Sequence, residues 1–433
     1  MLKYSLITLN LFLCFVTAQH LLLAGGNLKD DSAHYWKRLV HLAGGKGATI
    51  AVFTCGSDNP DADFELISKA ITNFGANASH IQVSINDIEL ANDEDTAELV
   101  KEHTAVFFGD GDVPKIIGAL RNEDGSDTEV LEAIRSVFNE RGVIGGSGAG
   151  AMVLTSAPVI ISGDSYESLL NKPETFSFVP LTTTTTQRIM RPRRRKPKRG
   201  RKRRPQKDQP VIPTSNLIYI DSGFGFMKNW SIDTRFNDLS RQGRLMSLLL
   251  NTKILPSGTG RGIGIDEEMG LAIYRVGRED EFAEVLGNRG GVSLVDTSSA
   301  TLTLKPLHID GVQMTFFTED DKLILDAAEI IPATWKADVD GQEWHILAET
   351  SNDIFSSRKN PNGTPGQFLN TAKRLFDSWL SKQVISRTFE KDPELIVEMD
   401  RRNGYGFHND SPTTAKHYLS FVNMNITIKE KTK

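Results

Sequence analysis

Only two cysteines occur in the 433 residues, Cys14 and Cys55, so no disulfide framework can carry this fold. Histidine is missing from a long central stretch. The nine histidines stand at 20, 34, 41, 80, 103, 308, 345, 408 and 417, so no imidazole base or ligand can come from residues 104–307. Acids are missing from 188–207, where 13 Lys and Arg are gathered. Long apolar runs are missing as well. The longest, Leu6–Val16, is too short to span a bilayer.

That run has Lys3 before it and the small residues Val16 and Ala18 before Gln19, the pattern of a secretory signal peptide over 1–18. The expected product is a secreted, extracellular protein with no membrane span. Cys14 leaves with the leader, and Cys55, which follows the apolar Ile50–Phe53, is expected to be a buried small hydrophobe. Sequons at Asn77, Asn229, Asn362 and Asn425 suit glycosylation in that pathway, Asn362 being weakened by Pro365.

Apolar strand patterns alternate with helical spacing through the first 155 residues. This predicts an α/β fold with a mostly parallel sheet flanked by helices. Strands are expected near 20–24, 48–54, 81–85, 104–108 and 143–147, with helices near 32–43, 60–74, 95–102, 114–121 and 127–141. In the last helix Val130, Ile134 and Val137 should face the sheet. Further strands are expected across 215–331, with a helix at 241–250. The chain is read as a main domain over 19–331, with a Thr/Arg/Lys-rich insertion at about 180–213 that cannot pack a core, and a C-terminal extension over 332–433 packed on that domain. In the extension Phe368, Ala372, Leu375, Phe376, Trp379 and Leu380 fall on one helical face, expected to be packed.

Gly145-Gly146-Ser147-Gly148-Ala149-Gly150-Ala151 follows the short apolar strand Val143-Ile144. Small residues at such spacing permit a sharp strand-to-helix turn whose backbone N–H groups face an anion. The run resembles the GGTSAGA elbow of the cyanophycinase-like serine peptidases, which have a glutamine amidotransferase-like fold. Four further segments fall in that family's order. Leu21–Gly26 resembles the first strand and its Gly-Gly turn, and Val106–Asp112 is similar to the FTGGDQ segment with its Gly-Asp order altered. Arg241–Leu245 resembles R-x-GRL, and Gly262–Glu267 matches GIGIDE.

The same comparison puts Gly148 at the position of the nucleophilic serine and Ser147 at that of the threonine. Asp233-Thr234-Arg235-Phe236 stands where the family carries DQHF, so Arg235 replaces the histidine. Glycine has no nucleophile, and a guanidinium stays charged at physiological pH and accepts no proton. The resemblance thus implies the family's fold without its catalysis: a secreted, inactive homologue acting as a binding or extracellular-matrix component. The competing expectation is a serine hydrolase using Ser147, with His103, His308 or His345 supplying the base. Asp164 or Glu167 lies about where the family's histidine-orienting acid is found, and is free here to pair with Arg235.

No cofactor or metal is expected. Asp110, Asp112, Asp164, Glu167, Asp266, Glu267 and Glu268 match no calcium loop, and no His or Cys cluster accompanies them. The basic run includes Arg191, Arg193, Arg194, Arg195, Lys196, Arg201, Lys202, Arg203 and Arg204. Without its 13 of the 50 Lys and Arg, the 55 acids leave the rest of the chain near −18, which the nominal −5 conceals. Three readings of the run stay open: a site for a polyanion (sulfated glycan, acidic matrix protein or anionic surface), a processing site, or a passive solvated loop. Nucleic acid is disfavoured, since no aromatic stacking surface accompanies the run. A homodimer is compatible with the sequence.

Overall fold

Strand and helix alternate because each apolar strand is followed by an amphipathic segment that covers one face of the sheet. The computed structural model describes residues 19–176, 216–325, 327, 329–409 and 418–432. Residues 1–18, where a leader is expected, the basic run and its flanks (177–215) and residues 410–417 lie outside the described residues.

The first half places β1 (His20–Ala24), α1 (Ala33–Leu42), β2 (Thr49–Phe53), α2 (Pro60–Asn73), β3 (Asn77–His80), α3 (Ile88–Ala91), α4 (Glu94–Lys101), β4 (Ala105–Phe108), α5 (Val113–Leu120), α6 (Glu129–Arg141), β5 (Val143–Ser147) and α7 (Ala149–Met152). The sequence supplies the stops as well as the periods. Thr128 caps α6 by accepting a hydrogen bond from the Leu131 N–H, and Gly142 ends that helix in the left-handed region at φ 85°. The third strand lies at Asn77–His80, four residues before the expected 81–85. Its parallel register with β2 runs from Thr49↔Asn77 to Val52↔His80. Ile81 and Val83, which suggested the later strand, are buried from the segment that follows it.

Next come β6 (Val159–Ser162), α8 (Ser165–Leu170), β7 (Glu174–Thr175), β8 (Ile218–Ile220), β9 (Ser231–Thr234), α9 (Gln242–Thr252), β10 (Arg261–Ile265), β11 (Gly270–Tyr274), β12 (Phe282–Leu286), β13 (Val292–Asp296), β14 (Thr301–Leu304), β15 (Leu307–Phe317), β16 (Lys322–Ile324) and β17 (Glu329–Ile331). The tail supplies β18 (Lys336–Asp338), α10 (Gln367–Phe376), β19 (Gln383–Arg387), β20 (Leu395–Asp400), β21 (Tyr405–Asn409) and β22 (Ser420–Glu430).

A nine-stranded sheet runs β17-β16-β12-β11-β1-β5-β4-β2-β3. From β1 to β3 its pairs are parallel, as expected, and from β1 to β17 they are antiparallel. Alternate side chains of its strands enter two cores. Leu22, Val52 and Phe107 pack under α1 and α2, while Leu21, Phe53 and Phe108 face α5 and α6. Val130, Ile134 and Val137 of α6 are buried in the second core, as predicted.

That larger core continues into a ten-stranded sheet in which β22 of the tail pairs along β15. Phe368, Ala372, Leu375 and Phe376 of α10 are buried against it. The helix ends at Phe376, however, and Trp379 and Leu380 leave the packed face for solvent. Among the described residues no helix is long and apolar enough to cross a membrane.

Candidate functional site

Strand β5 is buried along its whole length between β1 and β4, and it ends in a turn that only small residues can make. A Cβ on Gly146 would lie 2.4 Å from the Gly150 carbonyl oxygen, and one on Gly150 would lie 2.4 Å from that of Phe108. Gly148 takes φ 56° and ψ −122°, a sharp reversal from β5 into α7. Its N–H donates to the Ala24 carbonyl at 3.0 Å, tying the turn to the end of β1.

The space beside Gly148 is filled. A Cβ there would lie 1.9 Å from Oδ1 of Asp110 and 2.1 Å from its Cγ. That carboxylate is fixed from three directions. Oδ1 accepts from the N–H groups of Gly111 at 2.8 Å and Ala149 at 2.9 Å, and Oδ2 accepts from Nη2 of Arg235 at 2.5 Å. Arg235 sits at φ 48°, its N–H donates to the Gly25 carbonyl, and its Nε lies 3.4 Å from Glu267 Oε1. Gly26, at φ 97°, leaves room for this pair, since a Cβ there would come within 3.1 Å of the Arg235 Nε. The Gly-Gly turn, the altered Gly-Asp loop, the elbow, the Arg235 segment and the Gly262–Glu267 strand, separated in sequence, therefore meet at one point.

A buried layer holds Arg235's segment in place. Asp233 is fully buried and accepts from Nε of Arg244 at 2.8 Å and Nη2 at 2.5 Å, with Arg241 Nη1 at 3.3 Å. Burial beside Arg244 lowers Arg241 to about 9. Asp266 lies fully enclosed and accepts from the Asn237 N–H, Asn237 Nδ2 and the Gly291 N–H. Burial pushes its carboxyl up to about 7.

The elbow opens on a cavity of about 620 Å³ whose lining includes Trp36, Phe107, Asp110, Ser147, Arg235 and Arg241. Ser147 is 6% exposed, and no histidine lines the cavity among the described residues. The three histidines considered as bases lie elsewhere. His103 Nδ1 meets the Leu99 carbonyl, His308 is on β15 opposite Lys429, and the His345 ring packs 5.6 Å from that of Trp379.

Asp164 and Glu167 do not reach Arg235, contrary to the pairing suggested by the sequence. Asp164 caps α8, accepting from the Glu167 N–H at 2.8 Å, and burial raises its carboxyl. Glu167 pairs with Lys359 at 3.3 Å. Asp112 caps α5 at the cavity rim. The role of Asp110 was missed from sequence. Its signal was the altered Gly109-Asp110-Gly111 order, which sets a carboxylate one residue earlier in the loop.

Cys55 is buried and unpaired, its thiol pushed up to about 12 by burial. Asn77, Asn229 and Asn362 are exposed, and Asn425 is half-buried on β22, where its Oδ1 accepts from Gln313 Nε2. The basic residues from Arg191 to Arg204 lie outside the described residues. The strands bordering that segment, β7 and β8, form a small sheet with β6, whose Ile160 and Ile161 line the cavity.

No family model matches the chain. It is similar to a cyanophycinase of Geminocystis herdmanii (strain PCC 6308), 25% identical over 290 residues, which cover 67% of this chain and 84% of that protein. A cyanophycinase of Synechococcus elongatus is 24% identical over 269 residues, 62% of this chain and 64% of that one. A third, of Trichormus variabilis (strain ATCC 29413 / PCC 7937), is 22% identical over 321 residues, 72% and 87% of the two chains. Among solved structures, a peptidase from an acI-B1 Actinobacterium matches 74% of this chain and 98% of its own at 18% identity, with a TM-score of 0.44. The ordered motifs and these similarities together support a relationship to the cyanophycinase-like peptidases.

Proposed function

We propose that this protein is a secreted, catalytically inactive relative of these peptidases that works as a binding or extracellular-matrix component. One observation carries the inactive reading: the volume a nucleophilic side chain at 148 needs is occupied by the Asp110 carboxylate, held by Arg235. The two N–H groups that point into that volume, from Gly111 and Ala149, already donate to the Asp110 carboxylate, so they have no free capacity for a developing oxyanion. A guanidinium stands where a base is required.

Purified mature protein is expected to hydrolyse neither β-aspartyl nor ordinary dipeptides above the blank. Turnover lost on Ser147→Ala, or fluorophosphonate labelling of Ser147 in folded protein, refutes the reading and restores the hydrolase.

The binding role rests on the 13 cationic residues of 188–207 attached to a remainder near −18. Ion pairing of this kind is screened by salt. The protein is expected to bind a heparin column at low ionic strength and elute at moderate salt, and deletion of 188–207 is expected to abolish retention. Flow-through of intact protein at low salt refutes polyanion binding, and native material cut near Arg194 or Arg204 replaces it with processing.

A further inference from the structure

Two surface segments far apart in sequence carry large apolar side chains into solvent side by side. Trp344 is 60% exposed, Ile346 56%, Leu347 69%, Trp379 47% and Leu380 56%. The segments are joined to each other by backbone: the Trp344 N–H donates to the Asp377 carbonyl, and the Trp379 N–H donates to the Trp344 carbonyl, both at 3.0 Å. Ser378 Oγ donates to the Ile346 carbonyl, and the Ala348 N–H donates to Ser381 Oγ. Beneath them the buried Arg401 donates to the carbonyls of Ser378 and Ser381 and pairs with the buried Glu343 at 3.0 Å. The base is rigid and polar, while the display is apolar. Among the described residues these side chains stay half-exposed or more, with the His345 ring 5.6 Å from that of Trp379.

We infer that this patch seats the protein on an electrically neutral phospholipid bilayer, with Ile346, Leu347 and Leu380 entering the acyl region and Trp344 and Trp379 lying at the interface. The occupant follows from chemistry and size. Aliphatic tips have no face on which a sugar ring stacks, and they favour hydrocarbon, whereas the amphipathic indole favours the boundary. Five half-exposed side chains offer on the order of 500 Å² of apolar surface. A stable dimer requires about 800 Å² from each partner, so a second copy is not sufficiently held by this patch. Charged residues on and beside the two segments are of both signs, including the paired Arg374 and Glu349, Asp377 and the exposed Lys382, and do not select an anionic surface. This site is separate from the elbow and from the basic run, and it stands or falls independently of the function proposed above.

The test uses full-length mature protein with phosphatidylcholine vesicles at about physiological salt, where the Debye length is about 8 Å and the uncharged bilayer gives the basic run no counter-charge. Wild type is expected to sediment with the vesicles, and its tryptophan emission is expected to be quenched by brominated acyl chains. Combined Ile346→Gln, Leu347→Gln and Leu380→Gln is expected to weaken partition at least tenfold, while Ile254→Gln, which changes an apolar residue 87% exposed elsewhere, leaves it unchanged. If the triple variant does not fold, Trp344→Phe with Trp379→Phe decides, because quenching must disappear with those two indoles. Absence of vesicle binding overturns the inference, as does equal loss with Ile254→Gln. A dimer broken by the triple substitution without vesicle binding also overturns it and assigns the patch to a second copy.

Discussion

Substitution of Gly148 by alanine tests the self-filled elbow most directly. The added methyl group would sit 1.9 Å from Asp110 Oδ1, so the carboxylate must leave its present place. Leaving breaks two charge-assisted hydrogen bonds, from the Gly111 and Ala149 N–H groups, and loosens the Arg235 pair. Charged hydrogen bonds contribute about 1.5–3 kcal/mol each when buried. Asp110 and Arg235 side chains are 31% and 39% exposed, so the low end applies and the ion pair adds little of its own. A non-glycine residue held at φ 56° adds about 1–3 kcal/mol of strain.

Gly148→Ala is therefore expected to destabilise by roughly 4–6 kcal/mol, a large part of the ~5–15 kcal/mol available to a folded domain. Asp110→Ala alone should cost about 1–3 kcal/mol, since water can reach the freed N–H groups. In the double variant the collision is gone, and the alanine at 148 adds only its strain to the loss already caused by Asp110→Ala. Its loss should fall short of the sum of the singles by about 3 kcal/mol, read from urea unfolding as a double-mutant cycle. Additive losses, or Gly148→Ala within about 0.5 kcal/mol of wild type, would refute the reasoning. Gly148→Ser meets the same carboxylate and should remain unlabelled by a fluorophosphonate probe.

Asp233→Ala strands Arg244, whose side chain is 5% exposed, and should lower stability by about 3–5 kcal/mol in urea unfolding; a loss below about 1 kcal/mol would mean the pair is not structural. Asp266 has a folded value near 7 against an ordinary 3.8, so the folded state binds the extra proton between those values. Its contribution is fully present below about pH 4 and is lost as pH rises toward 7, by at most roughly 4 kcal/mol. Asp266→Asn should flatten the pH dependence of the unfolding midpoint across that window, and parallel profiles for variant and wild type would contradict the assignment. Deletion of 188–207 should leave thermal unfolding nearly unchanged, and a fall of many degrees would show that the run supports the core.

The α/β alternation was legible because both periods were strong and their ends were marked by Thr128, Gly142 and the glycines of the elbow. Strand β3 was misplaced by four residues because Ile81 and Val83 are buried without belonging to the sheet, and apolar spacing reports burial rather than pairing. The spacing of α10 extended too far for a similar reason. Trp379 and Leu380 keep the helical period past Phe376, where the helix has already ended.

At the site, sequence alone determined what cannot happen at two positions. Glycine at 148 has no side chain to attack with, and arginine at 235 has no lone pair to accept a proton; neither statement depends on folding. What stands in the vacated space was decided only by tertiary structure. Asp110 and Gly148 are 38 residues apart and Arg235 is 87 further on; the neighbouring β4 and β5 bring the first two together, and the end of β9 in the other sheet, hydrogen-bonded to the Gly25 carbonyl with Gly26 leaving room, adds Arg235. Side-chain identity is local information, whereas a pairing of charges is set by which strand ends the sheet places together.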